Sequence, residues 1–217
     1  MSIKYVPLAP QHFAAIVELG NDVHGDNYLN LNTVENLYQQ SWSQNINASW
    51  VAIDTDFNLQ ASSELHTPEI QSRKKKRILK DGLLVGFRLT IAANNWNVDE
   101  WCSPQDWSHE HQNICYFKCN TVDINYRGSG IGSTLLARSI ERCEQQGARA
   151  GLAHIWLASP GNSAYRYFTA CGGRLIKKHP NKWQSASIED EYVCPVCQNI
   201  CCCVAAEMLL EFSQKSI

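Results

Sequence analysis

A run of strand-forming residues that breaks into three alternate glycines and then resumes at helical spacing leaves a chain few ways to fold. Residues 114–122 (Ile-Cys-Tyr-Phe-Lys-Cys-Asn-Thr-Val) are rich in β-formers. Gly128, Gly130 and Gly132 follow, and Ile131, Leu135, Leu136, Ile140 and Cys143 then recur at helical spacing, with Arg138, Glu141, Arg142, Glu144 and Gln145 facing away and Gly147 as a stop. Leu152 to Leu157 reads as a second strand. Strand, helix and strand within about forty residues imply parallel pairing through a right-handed crossover.

The turn itself suits an anion. Glycines remove the Cβ atoms that keep a ligand off the backbone and permit the positive φ angles of a tight turn. Unpaired N–H groups at the helix start, with the helix dipole behind them, favour a phosphate or pyrophosphate. A Walker loop needs G-x-x-x-x-G-K-[ST] and a dinucleotide fingerprint needs G-x-G-x-x-G; the spacing G-x-G-x-G matches neither.

The pattern R/Q-x-x-G-x-G/A does fit, with Arg127, Gly130 and Gly132 in register, and it resembles the acetyl-coenzyme A loop of the GNAT superfamily of N-acetyltransferases. That resemblance implies an α/β fold: a mixed sheet of about six to seven strands, flanked by helices and splayed at the cofactor site. It also implies acetyl-CoA as co-substrate, held by Thr121, Val122, Arg127, Gly128, Ser129, Gly130, Ile131, Gly132 and Ser133. An oxyanion would be met by a backbone N–H within 120–122. The activity implied is acetyl transfer to a primary amine by direct attack on the thioester.

Ser159-Pro160-Gly161-Asn162 ends the second strand, 163–171 suits a short helix, and Gly172-Gly173 closes it. This resembles the second GNAT signature, in which an Asn opens the helix and contacts the cofactor arm; Asn162 matches. The family's general-acid Tyr falls on Phe168 if counted back from Gly172, because the spacing is one residue short. Tyr167 is the favoured acid, with Tyr165 one turn back, and packing is the alternative role for all three rings.

An alternating strand at 3–6, helices at about 11–20 and 33–42, and an antiparallel pair of strands at 49–54 and 82–92 are expected ahead of this core. Insertions fall at about 56–81 and 93–113. The first carries five successive cations, Arg73 to Arg77, read as a solvated loop because the chain has a net charge of -2, which argues against nucleic acid as the main partner. The second carries Trp96, Trp101 and Trp107, either walls of an acceptor pocket or satellite core. Candidate general bases are His154 in the second strand and Glu100, His109, Glu110 and His111 in this insertion; ordered water can also serve.

Five of the ten cysteines lie between 194 and 203, within a third insertion at about 179–203 before a last strand at 205–212. Cys194-Pro195-Val196-Cys197 has the form of a zinc knuckle, and Cys201 and Cys203 place two more thiolates on one face of an extended segment, which suits tetrahedral structural Zn2+. Cys202 would point away and pack. Disulfides, a redox pair or unliganded thiols are the alternatives.

The 217 residues suit a single acetyltransferase domain carrying these insertions. No apolar run approaches a membrane span and Met1-Ser2-Ile3-Lys4 opens no signal peptide, so a soluble, cytoplasmic protein with no membrane partner is expected. Two other readings of the chain are a non-catalytic acyl-CoA sensor and a zinc-ribbon interaction module. The acceptor, a small-molecule or protein amine, and the oligomeric state have no signature in these residues.

Overall fold

The computed structural model describes residues 2–57 and 75–212. Its ten strands are β1 (Ile3–Pro7), β2 (Trp42–Ser43), β3 (Ile46–Asn47), β4 (Trp50–Asp54), β5 (Ile78–Leu79), β6 (Gly82–Ile91), β7 (Ile114–Val122), β8 (Ala150–Trp156), β9 (Arg174–His179) and β10 (Ala205–Glu211). The helices are α1 (Phe13–His24), α2 (Leu31–Gln40), α3 (Ile131–Gln145), α4 (Ser163–Ala170) and α5 (Gln184–Glu189).

The main sheet runs β1-β4-β6-β7-β8-β10-β9, with short β5 added at the end of β6, and β2 and β3 form a separate ribbon. Eight strands thus take the place of the expected six or seven, the addition being the two residues of β5. Among the described residues only β7 and β8 pair in parallel, through the α3 crossover, and every other neighbour is antiparallel. Helix α1 starts later than expected, after a turn at Pro10–His12, and runs four residues beyond Gly20 to His24; α2 is shifted two residues toward the N-terminus. The α2 N-cap explains that shift, because the Asn30 side chain accepts from Thr33 N–H at 2.8 Å.

Alternation of side chains across the strands makes two cores. Ile16, Leu19, Val34 and Leu37 of α1 and α2 pack with Phe87, Leu89, Leu152 and Leu209 on one face. On the other, Leu136 and Cys143 of α3 and Phe168 of α4 pack with Phe117, Met208 and Leu210.

Two irregularities open the sheet. Strands β7 and β8 pair only through Ile114↔Ala150, Cys115↔Gly151 and Tyr116↔Leu152, so 117–122 and 153–156 diverge. Against β6, Leu89 faces Cys119 and Thr90 faces Phe117, which leaves Lys118 as the extra residue of a bulge. The bulge reverses side-chain parity: Tyr116 and Cys119 both face the α1 side, whereas Phe117 faces α3.

The basic run is not simply solvated. Arg73 and Lys74 lie outside the described residues, but Arg77 is buried and ion-paired to buried Asp123 at 2.7 Å, and Lys76 pairs with Glu18 at 3.2 Å. A buried guanidinium needs such a partner, and here it pins the start of the glycine turn.

Candidate active site

A cavity of about 1540 Å³ occupies the gap between β7 and β8 and continues between the α1–α2 loop and the segment after β9. Its phosphate end is the glycine turn. Gly128 and Gly130 hold φ of 78° and 82°, the left-handed region that side-chain-bearing residues resist, and Gly130 caps α3. The first intrahelical bond is Thr134 N–H to Gly130 O at 3.0 Å, so the amides of 131–133 precede the ladder. Arg127, Gly128, Gly130, Ile131, Gly132, Ser133 and Val122 line the cavity, whereas Ser129 turns its hydroxyl back to Tyr126 O at 2.6 Å. The Arg127 side chain folds onto the turn, donating from Nε to Val122 O at 3.1 Å.

Helix α4 resolves the crowded aromatic run. Phe168 is 1% exposed and packs edge-on against Phe117, with Gly173 giving its ring room. Tyr167 therefore faces the cavity. Its hydroxyl donates to Gly132 O at 3.1 Å and accepts from Arg88 Nη1 at 3.3 Å. Burial pushes the Tyr167 pKa up to about 12, against the opposing pull of the Arg88 charge. Arg88 is itself 2% exposed and lies over the Phe117 ring at 4.3 Å. Sequence reasoning passed over Arg88; a lone cation inside an otherwise apolar strand was the available signal.

Asn162 opens α4 in a left-handed conformation, but Ser159, Pro160, Ser163 and Ala164 line the cavity in its place. Thr121 is buried with its hydroxyl 2.8 Å from His24 Nε2. His24, at the C-terminal end of α1, is a lining residue with no sequence signal; burial, then the charge of Arg127, lowers its pKa to about 4.

Of the five candidate bases only His154 lines the cavity. Its Nε2 lies 2.6 Å from Trp101 O, an obligate acceptor, which places the proton on Nε2 and leaves Nδ1 to accept from Tyr116 O–H at 3.0 Å. Burial, then the charge of Lys182, lowers its pKa to about 4. Glu100, His109, Glu110 and His111 lie outside the lining: His109 is 3.9 Å from Glu211 and His111 packs edge-on against Trp96. The tryptophans divide between the two expected roles. Trp96 and Trp101 line the cavity, while Trp107 donates to buried Glu207 at 2.8 Å. Glu207 also takes Ser103 N–H and pairs with His179, so the His154, His179 and Glu207 cluster reads as a satisfied hydrogen-bond network.

The Sγ atoms of Cys194, Cys197, Cys201 and Cys203 lie within 4.8 Å of one another. Cys194 to Cys203 is 3.7 Å and Cys197 to Cys203 is 3.6 Å. Zn–S bonds of about 2.3 Å at tetrahedral angles set sulfur edges near 3.8 Å, so the thiol set fits zinc. Cys202 does not turn away to pack: it is exposed, with its Sγ 3.7 Å from that of Cys197, because its N–H is directed at that sulfur. The segment just before the cysteines lies against the α1–α2 loop through Val193 N–H to Asp26 O at 3.1 Å and Tyr192 O–H to His24 O at 2.9 Å.

The family model for GNAT acetyltransferases matches residues 32–172, more than half of the chain. The chain belongs to the GNAT acetyltransferase family. It is an acyltransferase that draws on acetyl-CoA. No curated protein sequence matches. Among solved structures, this GNAT protein is similar to a chain of the NatC complex bound to Gag peptide and CoA (TM-score 0.61, 14% identity, covering 98% of this chain and 100% of that one). It is likewise similar to NAA60 of Arabidopsis thaliana in complex with a bisubstrate analogue (TM-score 0.62, 14% identity, 98% and 100%) and to Ard1 from Thermoplasma volcanium (TM-score 0.61, 12% identity, 99% and 100%). At such identities the likeness is one of fold. Among the described residues of this GNAT chain, no helix is long and apolar enough to cross a membrane.

Proposed function

We propose that this chain is one GNAT domain, carrying its three insertions, that transfers the acetyl group of acetyl-CoA to a primary amine by direct attack on the thioester. The observation that carries this reading is the cavity with the glycine turn at one end and the Tyr167 hydroxyl within it. The amides of 130–133 and Arg127 bind the pyrophosphate. The unpaired edges of β7 and β8 take the pantetheine arm by backbone hydrogen bonds.

The acceptor amine must shed its proton before its lone pair forms the N–C bond. The carbonyl oxygen, gaining charge, is met by a β7 amide within 120–122. The C–S bond then breaks, and the departing thiolate takes its proton from Tyr167. A phenol with a pKa of about 12 stays protonated through neutral pH, and Arg88 stabilises the charge it acquires on donating. His154, neutral but with both ring nitrogens engaged, positions Tyr116 and Trp101; water carries the amine proton away. What favours turnover over silent acyl-CoA binding is that Tyr167 brings a hydroxyl to the cavity, bonded to Gly132 O and Arg88, while the neighbouring Phe168 ring is buried against Phe117.

Cys194, Cys197, Cys201 and Cys203 hold a structural Zn2+ in this proposal, which orders the segment between β9 and β10. Incubation with acetyl-CoA and a panel of primary amines, with free thiol measured, tests the activity. Thiol release that depends on the amine supports it; absence of both thiol release and a coenzyme A thermal shift overturns it.

A further inference from the structure

Lys118 carries a charge that the protein does not neutralise. As the bulge residue of β7 it projects where the strands begin to part, and it lines the cavity. Among the described residues its side chain makes no hydrogen bond and no ion pair. Lys118 is exposed to the cleft, whose walls still lower its pKa by desolvation, with Cys119 and Asp99 opposing. A second ammonium, Lys182, lines the same region, and the two cations repel each other.

Asp99 is the nearby carboxylate, and it is committed. One oxygen takes Trp101 N–H at 3.0 Å and Cys102 S–H at 3.2 Å, while the other pairs with Lys182 at 3.7 Å. The remaining lining carboxylates, Asp190 and Glu191, are exposed residues of the segment before the cysteines, and neither is paired with a lysine among the described residues. Tyr28, Trp101, Tyr116 and Trp183 line the same cavity, and the Lys182 ammonium lies over the Trp101 ring at 5.4 Å.

We propose that the acceptor is an aromatic amine that also bears a carboxylate, and that Lys118 binds this carboxylate in the cavity. This rests on the acetyl-transfer reading above and names its substrate class. A cation held in a cleft draws an anionic ligand and disfavours a second positive charge beside it. The same field therefore binds the carboxylate and favours the neutral, nucleophilic form of the amine, which removes the need for a dedicated base.

The test compares amines that differ only in the carboxylate, tryptophan against tryptamine and free phenylalanine against phenethylamine, by thiol release from acetyl-CoA. The expected result is a KM about tenfold or more lower for the carboxylate-bearing member of each pair, the size of a charge-assisted contact. Lys118→Met brings each pair within about threefold; Lys118→Gln serves in its place if the first variant melts early. Equal or reversed preference in the wild type, a preference that survives loss of the lysine charge, or four inert amines while coenzyme A still raises the melting temperature each overturn the proposal. Loss of the coenzyme A shift itself counts against the acetyl-transfer reading instead.

Discussion

The guanidinium of Arg88 donates to the phenolic oxygen of Tyr167 across 3.3 Å, joining residues that are 79 positions apart in the chain. That oxygen donates in turn to Gly132 O, so strand β6, helix α3 and helix α4 converge on one proton. Removing the hydroxyl while keeping the ring isolates its part in chemistry. Tyr167→Phe is expected to lower kcat about 10²- to 10⁴-fold, with the KM for acetyl-CoA changed less than about threefold. Steady-state thiol release measures both, and an unchanged kcat rejects Tyr167 as the acid.

The glycine turn makes a separable prediction. Gly130→Val places a β-branched residue at φ 82° and is expected to cost about 1–2 kcal/mol of stability and to abolish the coenzyme A thermal shift. Arg127 is exposed, so Arg127→Ala is expected to leave the unfolding midpoint within about 0.5 kcal/mol of wild type while weakening coenzyme A binding about tenfold. Denaturant melts with and without coenzyme A separate these outcomes.

The Arg77–Asp123 pair is buried on both sides. Breaking it strands a charge, so Asp123→Ala is expected to destabilise the chain by about 3–5 kcal/mol. Replacing both partners, Arg77→Met with Asp123→Ala, should recover a large part of that loss. A double-mutant cycle in urea gives the coupling, and simple additivity of the two single changes would mean the pair is not a unit.

Metal analysis is expected to give one zinc per chain, and chelation to lower the melting temperature by about 5 °C or more. Because Tyr192 and Val193 brace the α1–α2 loop beside the cavity, chelation should raise the KM of the acceptor more than that of acetyl-CoA. Zinc-free protein with an unaltered melt contradicts the site.

His24 and His154 both have pKa values lowered by burial to about 4. The unfolded chain binds these protons near pH 6.5, so their contribution is full above that value and is lost as pH falls toward 4. The melting temperature should therefore drop steadily across that window, and His154→Gln should make the decline shallower. A flat melting profile between pH 6.5 and 4.5 would show that neither imidazole is held neutral.

How far the residues themselves reached follows from range. The β7–turn–α3 unit, the register of Arg127, Gly130 and Gly132, and the spacing of Cys194, Cys197, Cys201 and Cys203 were all legible, because each depends on neighbours a few positions away: hydrophobic period, glycine conformation, ligand spacing. Even α4 could be placed, though not its facing.

Tertiary packing decided the rest. That the Tyr167 hydroxyl reaches Arg88 and Gly132 while the Phe168 ring is buried depends on Phe117 and Gly173 accepting the Phe168 ring, and those contacts lie on other elements. The bulge that turns Lys118 into the gap exists only in the pairing of β7 with β6. Buried Arg77 and Arg88 looked like ordinary cations along the chain; Asp123 and the Phe117 ring are what make their burial tolerable. A linear pattern records the local preferences of a residue. It does not record the partner that will desolvate or neutralise that residue once distant segments meet.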